Sequence, residues 1–177
     1  MTSYILAIDA GKSHLGYALY DRTHLKFGLL DIDAYIKMRC AMSIPTQRIR
    51  ILYYWFKALL NKYSVSRLVV EKQVKANVIC MEIQVIVMTL AQTFDIPITL
   101  FDPKAKFNYI PVSYDTKRKE HKRIATQYAL NIIHNLGLDD RHFSTFKKQD
   151  DISDATCMAV MCAESDDVVR FLITQHA

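Results

Sequence analysis

Apolar and polar positions divide the chain into two regimes. In the first, residues 4–9, 15–20 and 24–30 form short apolar runs of strand length, rich in Leu, Ile, Tyr and Phe. Ala10-Gly11-Lys12-Ser13-His14 and Asp21-Arg22-Thr23 join them, links too short for a crossover, so the runs predict an antiparallel meander. The period then lengthens. Pro45 and Thr46 open a stretch in which Ile49, Leu52, Trp55, Phe56, Leu59 and Leu60 recur at helical spacing, which assigns the aromatic pair to the core. Beyond it the two periods alternate: a strand at 67–71, a helix at about 76–94, a strand at 98–101, a polar connection at 102–116, then helices at about 117–136 and 151–163. Gly137 is placed to end the first of those two helices. Alternation implies parallel pairing for the later strands, so the class is α/β with a mixed five-stranded sheet.

A chain of 177 residues with 51% hydrophobic content can bury one sizeable core, and no repeat, low-complexity tract or linker divides it. Residues 1–177 are therefore expected to form a single domain. Cys40, Cys80, Cys157 and Cys162 include no Cys-x-x-Cys pair, and the six histidines form no zinc spacing with them, which points to a reducing, cytoplasmic setting. The first apolar run is broken by Asp9 and lacks a basic leader, so it does not read as a signal peptide. The greasiest segment, 51–60, contains Lys57 and is too short to span a bilayer, so no membrane partner is expected.

Four acids carry the candidate chemistry. Asp9 closes the run Tyr4-Ile5-Leu6-Ala7-Ile8 and Glu71 closes Leu68-Val69-Val70, so each carboxylate sits where a buried strand should surface. Asp151 and Asp154 stand three apart in Asp150-Asp151-Ile152-Ser153-Asp154-Ala155, which on a helix puts both on one face. Converging hard oxygen donors suit Mg²⁺ or Mn²⁺. Taken singly, Asp9 also reads as a turn residue before Gly11, and Asp150 or Asp151 as a helix cap. Asp139, Asp140, Asp166 and Asp167 read as ordinary surface acids. The formal charge of +5 is concentrated in Lys104, Lys106, Lys117, Arg118, Lys119, His121, Lys122 and Arg123, a cluster that favours a polyanionic partner over a merely solvated face once acids lie nearby.

Three antiparallel strands, a helix, then parallel strands separated by helices is the order of the ribonuclease H-like fold. Ile5-Leu6-Ala7-Ile8-Asp9-Ala10-Gly11, followed by Gly16-Tyr17-Ala18, resembles the first motif of RuvC-type Holliday junction resolvases. Val69-Val70-Glu71-Lys72-Gln73, with Asn77 downstream, is similar to their second, and Asp151-Ile152-Ser153-Asp154-Ala155 to their last. Order and spacing match over nearly the whole chain, in the manner of a phage or poxvirus-type branch.

The resemblance implies helices on both faces of the sheet and an endonuclease that resolves four-way DNA junctions with two divalent ions and no small-molecule cofactor. Asp9 would bridge the ions while Glu71 and Asp151 or Asp154 complete their shells. Lys122 is similar to the lysine the family brings to the scissile phosphate, with Lys117 and Lys119 as alternatives. Lys72, Lys75, Asn77, Lys104, Lys106, Lys117, Arg118, Lys119 and Arg123 are the expected DNA contacts. Paired nicks on strands of like polarity imply a homodimer, with the apolar helix after Glu71, including Ile83 and Ile86, read as its seam or else as buried within the monomer against the sheet.

One departure stands out: the loop Lys72-Gln73-Val74-Lys75 lacks the aromatic residue that bacterial members insert into the crossover, leaving Tyr109 and Tyr114 as substitutes or as packed loop residues. Among competing readings, an actin-like ATPase would need a duplicated domain and glycine-rich phosphate loops, yet only four glycines occur and none cluster. A non-catalytic junction binder would not need the acids. A nuclease acting on RNA–DNA hybrids would need the same ones, so that alternative stays open.

Overall fold

The alternation of side chains along each strand decides what each face of the sheet buries. In a computed structural model, the backbone is described over residues 3–37, 43–73, 77–103 and 118–175, and the side chains over all of these but 37, 118, 119 and 166–175. Three antiparallel strands, β1 (Tyr4–Ala10), β2 (His14–Tyr20) and β3 (Leu25–Asp31), lead into α1 (Ile32–Lys37) and α2 (Ile44–Lys62). Then follow β4 (Val65–Glu71), α3 (Val78–Thr93), β5 (Ile98–Phe101), α4 (Arg118–Asn135), α5 (Arg141–Ser144) and α6 (Gln149–Gln175). The sheet runs β3-β2-β1-β4-β5, with β4 parallel to both β1 and β5. This is the mixed five-stranded sheet that the pattern predicts.

On one face Leu6, Ile8, Leu15, Leu19, Leu68 and Val70 pack with Leu52 and Phe56 of α2 and Ile83, Val87 and Ala91 of α3. Fully burying one such Leu or Ile is worth roughly 1.5–3 kcal/mol. On the other, Ala7, Ala18 and Val69 meet Ile152, Ala155, Met158 and Ala159 of α6, with Ile133 of α4 and Phe143 of α5. Alanines on both partners let α6 lie close to the middle of the sheet. Its far side buries Cys157 and Met161 against α4 residues Ile124 and Tyr128. Covered from both sides, α6 has little amphipathic contrast, which is why the sequence pattern underestimated it: the helix starts at Gln149, before the expected 151, and continues well past 163.

The buried apolar stripe of α2 is Leu52, Phe56 and Leu59, and Ile49 is 50% exposed. Ile83, placed in the sequence reading among the apolar residues of a dimer seam, is fully buried against the sheet. Helix α1 was not anticipated; Asp31 starts it by accepting the Ala34 N–H at 2.9 Å. Gly137 ends α4 as expected. Its φ of 66° turns the chain, while its N–H reaches the His134 carbonyl at 2.9 Å and the Leu138 N–H the Ile133 carbonyl at 3.0 Å, the paired bonds of a Schellman cap. The β2–β3 turn is tied by the Asp21 carboxylate, which accepts the N–H groups of Thr23 (3.0 Å) and His24 (2.6 Å) and the Thr23 hydroxyl (3.0 Å). Burial opposes that anion, but these donors outweigh it and hold its pKa below the ordinary value.

Candidate active site

Parallel pairing of β1 with β4 sets Ile8 opposite Val70, so Asp9 and Glu71, one residue further on, leave neighbouring strands at the same end of the sheet. Alternation also gives them a common side. Ala7 and Val69 face α6, and two residues later Asp9 and Glu71 follow the same direction.

The third segment arrives because a glycine permits it. Gly16 lies opposite Asp9 in the β1–β2 ladder. A Cβ built on Gly16 would lie 2.3 Å from the Asp151 carbonyl oxygen and 3.0 Å from the Ile152 nitrogen, so the first turn of α6 rests directly on bare backbone. A Cβ on Gly11 would stand 3.6 Å from an Asp151 carboxylate oxygen, which puts that side chain over the end of β1. Ser153, fully buried, ties this turn to α4 through a 3.4 Å hydrogen bond to the Thr126 hydroxyl.

The charges register one another. Burial pushes the Cys80 thiol of α3 up; a hydrogen bond with Asn77 opposes this, and Asp9, Asp151 and Glu71 push it further up. One thiol therefore senses acids from β1, β4 and α6. Burial likewise raises the pKa of Asp151, as does the Asp150 carboxylate; Lys148 and Lys122 oppose this, and Asp154 adds a smaller upward push. A half-buried carboxyl crowded by like charge is one that a cation would stabilise. Among the described residues, no group of three or more His, Cys, Asp or Glu side chains stands close enough to hold a metal ion without adjustment. In donor type, however, the set fits a hard divalent cation.

A family model described as "Poxvirus A22 protein" matches residues 3–165. The chain belongs to that family. Among solved structures, it aligns with T. thermophilus RuvC in complex with Holliday junction substrate at a TM-score of 0.62 and 14% identity, over 89% of this chain and 90% of that one. A second T. thermophilus RuvC structure aligns at 0.58 and 14% identity, over 88% and 90%. The yeast mitochondrial Holliday junction resolvase Ydc2 aligns at 0.60 and 14% identity, over 89% and 78%. These likenesses establish the RuvC-type, ribonuclease H-like fold. No curated protein matches the sequence.

In this A22-family chain Lys122, Lys147 and Lys148 lie near Asp150, at the amino end of α6. Lys122, in the first turns of α4, forms an ion pair with Asp150, one residue before Asp151, and so bridges the amino ends of α4 and α6. Burial works against the Asp150 anion, yet Lys122, with help from Lys148, holds its pKa below the ordinary range. Lys122, Arg123, Thr126 and Lys147 line an open groove of about 820 Å³, together with the acids Glu120 and Asp150. Neither Lys147 nor Asp150 was singled out in the sequence as a site residue, because their relation to Lys122 exists only once α4 and α6 pack. Arg123 is held by Glu120 at 2.6–3.0 Å within α4. Lys72 is exposed beyond Glu71, its N–H bonded to the Phe101 carbonyl at 2.8 Å, and Asn77 precedes α3 beside Cys80. Lys75, Lys104, Lys106, Tyr109, Tyr114 and Lys117 lie outside the described residues, as do the side chains of Arg118 and Lys119.

Proposed function

We propose that this chain is a metal-dependent endodeoxyribonuclease that resolves four-way DNA junctions by paired, symmetric nicks. The observation that carries the reading is the contact at Gly16, which delivers Asp151 to the sheet end where Asp9 and Glu71 emerge. Three distant segments are brought together around these acids, within a RuvC-type fold and an A22-family sequence.

Asp9, Glu71, Asp151 and Asp154 would hold two Mg²⁺ or Mn²⁺ ions, which when bound activate water and offset charge on the leaving 3′-oxygen. The chain's own residues do the remaining work. Asp9 and Glu71, on the ends of buried strands, fix the floor of the site. Asp151 and Asp154, on one face of α6, supply its wall. Lys122 offers positive charge at the rim, where its ammonium can stabilise a pentacovalent phosphate, and Asp150 restricts the directions it can take. Lys147 adds positive charge along the adjoining groove, where Arg123 is paired with Glu120, and this groove is the proposed path for the phosphates of a DNA arm.

Two symmetric nicks call for two sites related by a twofold axis, so a homodimer is part of the proposal. Its seam is drawn from the outer face of α3, where Val78 is 72% exposed and Val85 59% exposed. Among the described residues no helix is long and apolar enough to cross a membrane, and the thiols of Cys80, Cys157 and Cys162 are buried in the protein, which accords with action in a reducing cytoplasm. The deciding experiment compares cleavage of a four-way junction, an RNA–DNA hybrid and a linear duplex at equal enzyme concentration. The reading expects the junction to be cut into two nicked, ligatable duplexes. Preferential hydrolysis of the hybrid would replace it with a hybrid-directed ribonuclease.

A further inference from the structure

Strand β3 ends the sheet, and among the described residues no strand pairs with its outer side. A groove of about 510 Å³ wraps around this edge on both faces. On the α2 side its wall is Trp55, Lys62 and Tyr63; on the other it is Leu138, between α4 and α5, and His142 of α5. Between them runs Leu25-Lys26-Phe27 of β3. Residues of an added strand would point alternately into the two walls, which is the arrangement that recognises an extended peptide by strand addition.

Charge selects the occupant. The Lys26 and Lys62 ammonium groups lie 5.9 and 5.4 Å from the centroid of the same Tyr63 ring, and among the described residues neither has a carboxylate partner. Asp139, the acid on the opposite wall, is already paired with Arg141 at 2.5 Å. A second copy of the chain pairing edge to edge would bring the lysines of both copies together, and like charges across a strand pair are unfavourable. We propose that the β3 edge is a docking site for an extended acidic peptide of a partner protein, with acidic side chains over Lys26 and Lys62 and apolar ones toward Leu138 and His142.

The site sits where Leu25 and Phe27 pair with Tyr20 and Ala18, toward the end of β2 away from Gly16 and the catalytic acids. Docking and DNA cleavage are therefore separable. The test uses the full-length protein and a fluorescein-labelled decapeptide of alternating valine and glutamate, followed by fluorescence anisotropy. Binding is expected, weakened roughly tenfold by Lys26→Glu and again by Lys62→Glu, while junction cleavage by both variants stays at the parental rate. Two further peptides, N-methylated at the odd or the even positions, test the backbone pairing: one should lose binding and the other keep it. Equal binding by both methylated peptides would overturn strand addition, as would parental binding in both lysine variants. Displacement of the peptide by single-stranded oligothymidylate, with loss of cleavage in the lysine variants, would reassign the groove to nucleic acid. A dimer in sedimentation that is lost on Lys26→Glu would reassign it to a second copy.

Discussion

Gly16→Ala tests the site's construction without touching any acid. The added methyl would lie 2.3 Å from the Asp151 carbonyl oxygen and 2.5 Å from its carbonyl carbon, both backbone atoms that no rotamer change can move. Restoring ordinary contact requires the first turn of α6 to retreat from β2 by about 1 Å, an overpacking that costs about 1–3 kcal/mol of stability. The same retreat carries Asp151 away from Asp9, and a displacement of ~1 Å in a positioned group can lower turnover ~100-fold. Single-turnover cleavage of a four-way junction at saturating protein reads the chemical step, thermal unfolding reads the strain, and gel-shift binding in Ca²⁺ serves as control. The expected pattern is a folded, junction-binding variant with turnover down about two orders of magnitude. Turnover within a few fold of the parent, in a variant destabilised as expected, would show that the α6 contact does not position the chemistry.

Asp9→Asn and Glu71→Gln should abolish cleavage and leave junction binding near parental, a loss at least as large as the ~10–100-fold cost of removing an outer partner from a metal site; chelator should do the same to the parent, and addition of Mg²⁺ or Mn²⁺ should restore it. Lys122→Ala should lower turnover ~100-fold at saturating DNA with little change in binding, whereas a purely affinity-based loss in titrations would make Lys122 a phosphate contact. Val85→Glu should convert a sedimenting dimer to a folded monomer and uncouple the two nicks; Ile83→Glu should unfold the chain, as circular dichroism would record, because it buries an unpaired carboxylate. For Asp21 the folded pKa lies below the unfolded one, so its stabilisation is present above the ordinary value near ~3.9 and is lost as pH falls through the folded value. Asp21→Asn should therefore flatten the acid limb of a plot of Tm against pH, and an unchanged acid limb would assign that limb to other carboxylates.

Much of this fold was legible because its strands obey simple rules. Runs ending in Asp9 and Glu71 are strands whose last residue surfaces, and the three-residue link at Asp21 allowed only an antiparallel neighbour. The acids were visible for the same reason: nothing in a packed strand end calls for a carboxylate. What escaped depended on contacts between elements. Asp150 looked like a cap, and its pairing with Lys122 exists only because α4 and α6 lie side by side. Ile83 and Val85 are two residues apart in one apolar helix, and only the packing of α3 on the sheet tells the buried one from the exposed one. Gly16 carried a signal in its place within the motif, but the reason for a glycine there, a helix start resting on its backbone, is purely tertiary.

That resting contact also makes nuclease competence a late event in the life of the molecule. The acids on β1 and α6 are separated by most of the sequence, so the sheet can assemble, pair its strands and bury its α2–α3 face while the reactive centre is still incomplete. Only docking of α6 finishes it. A partial opening that lifts α6 from Ala7 and Ala18 would silence the enzyme without unfolding the meander, and such sub-global openings are rarer events than the fraying of loops but more frequent than global unfolding. Amide exchange in the buried middle of α6, from Ala155 to Ala159, should thus report the opened, inactive fraction, and a protein able to cut DNA would be disarmed until its chain is fully assembled.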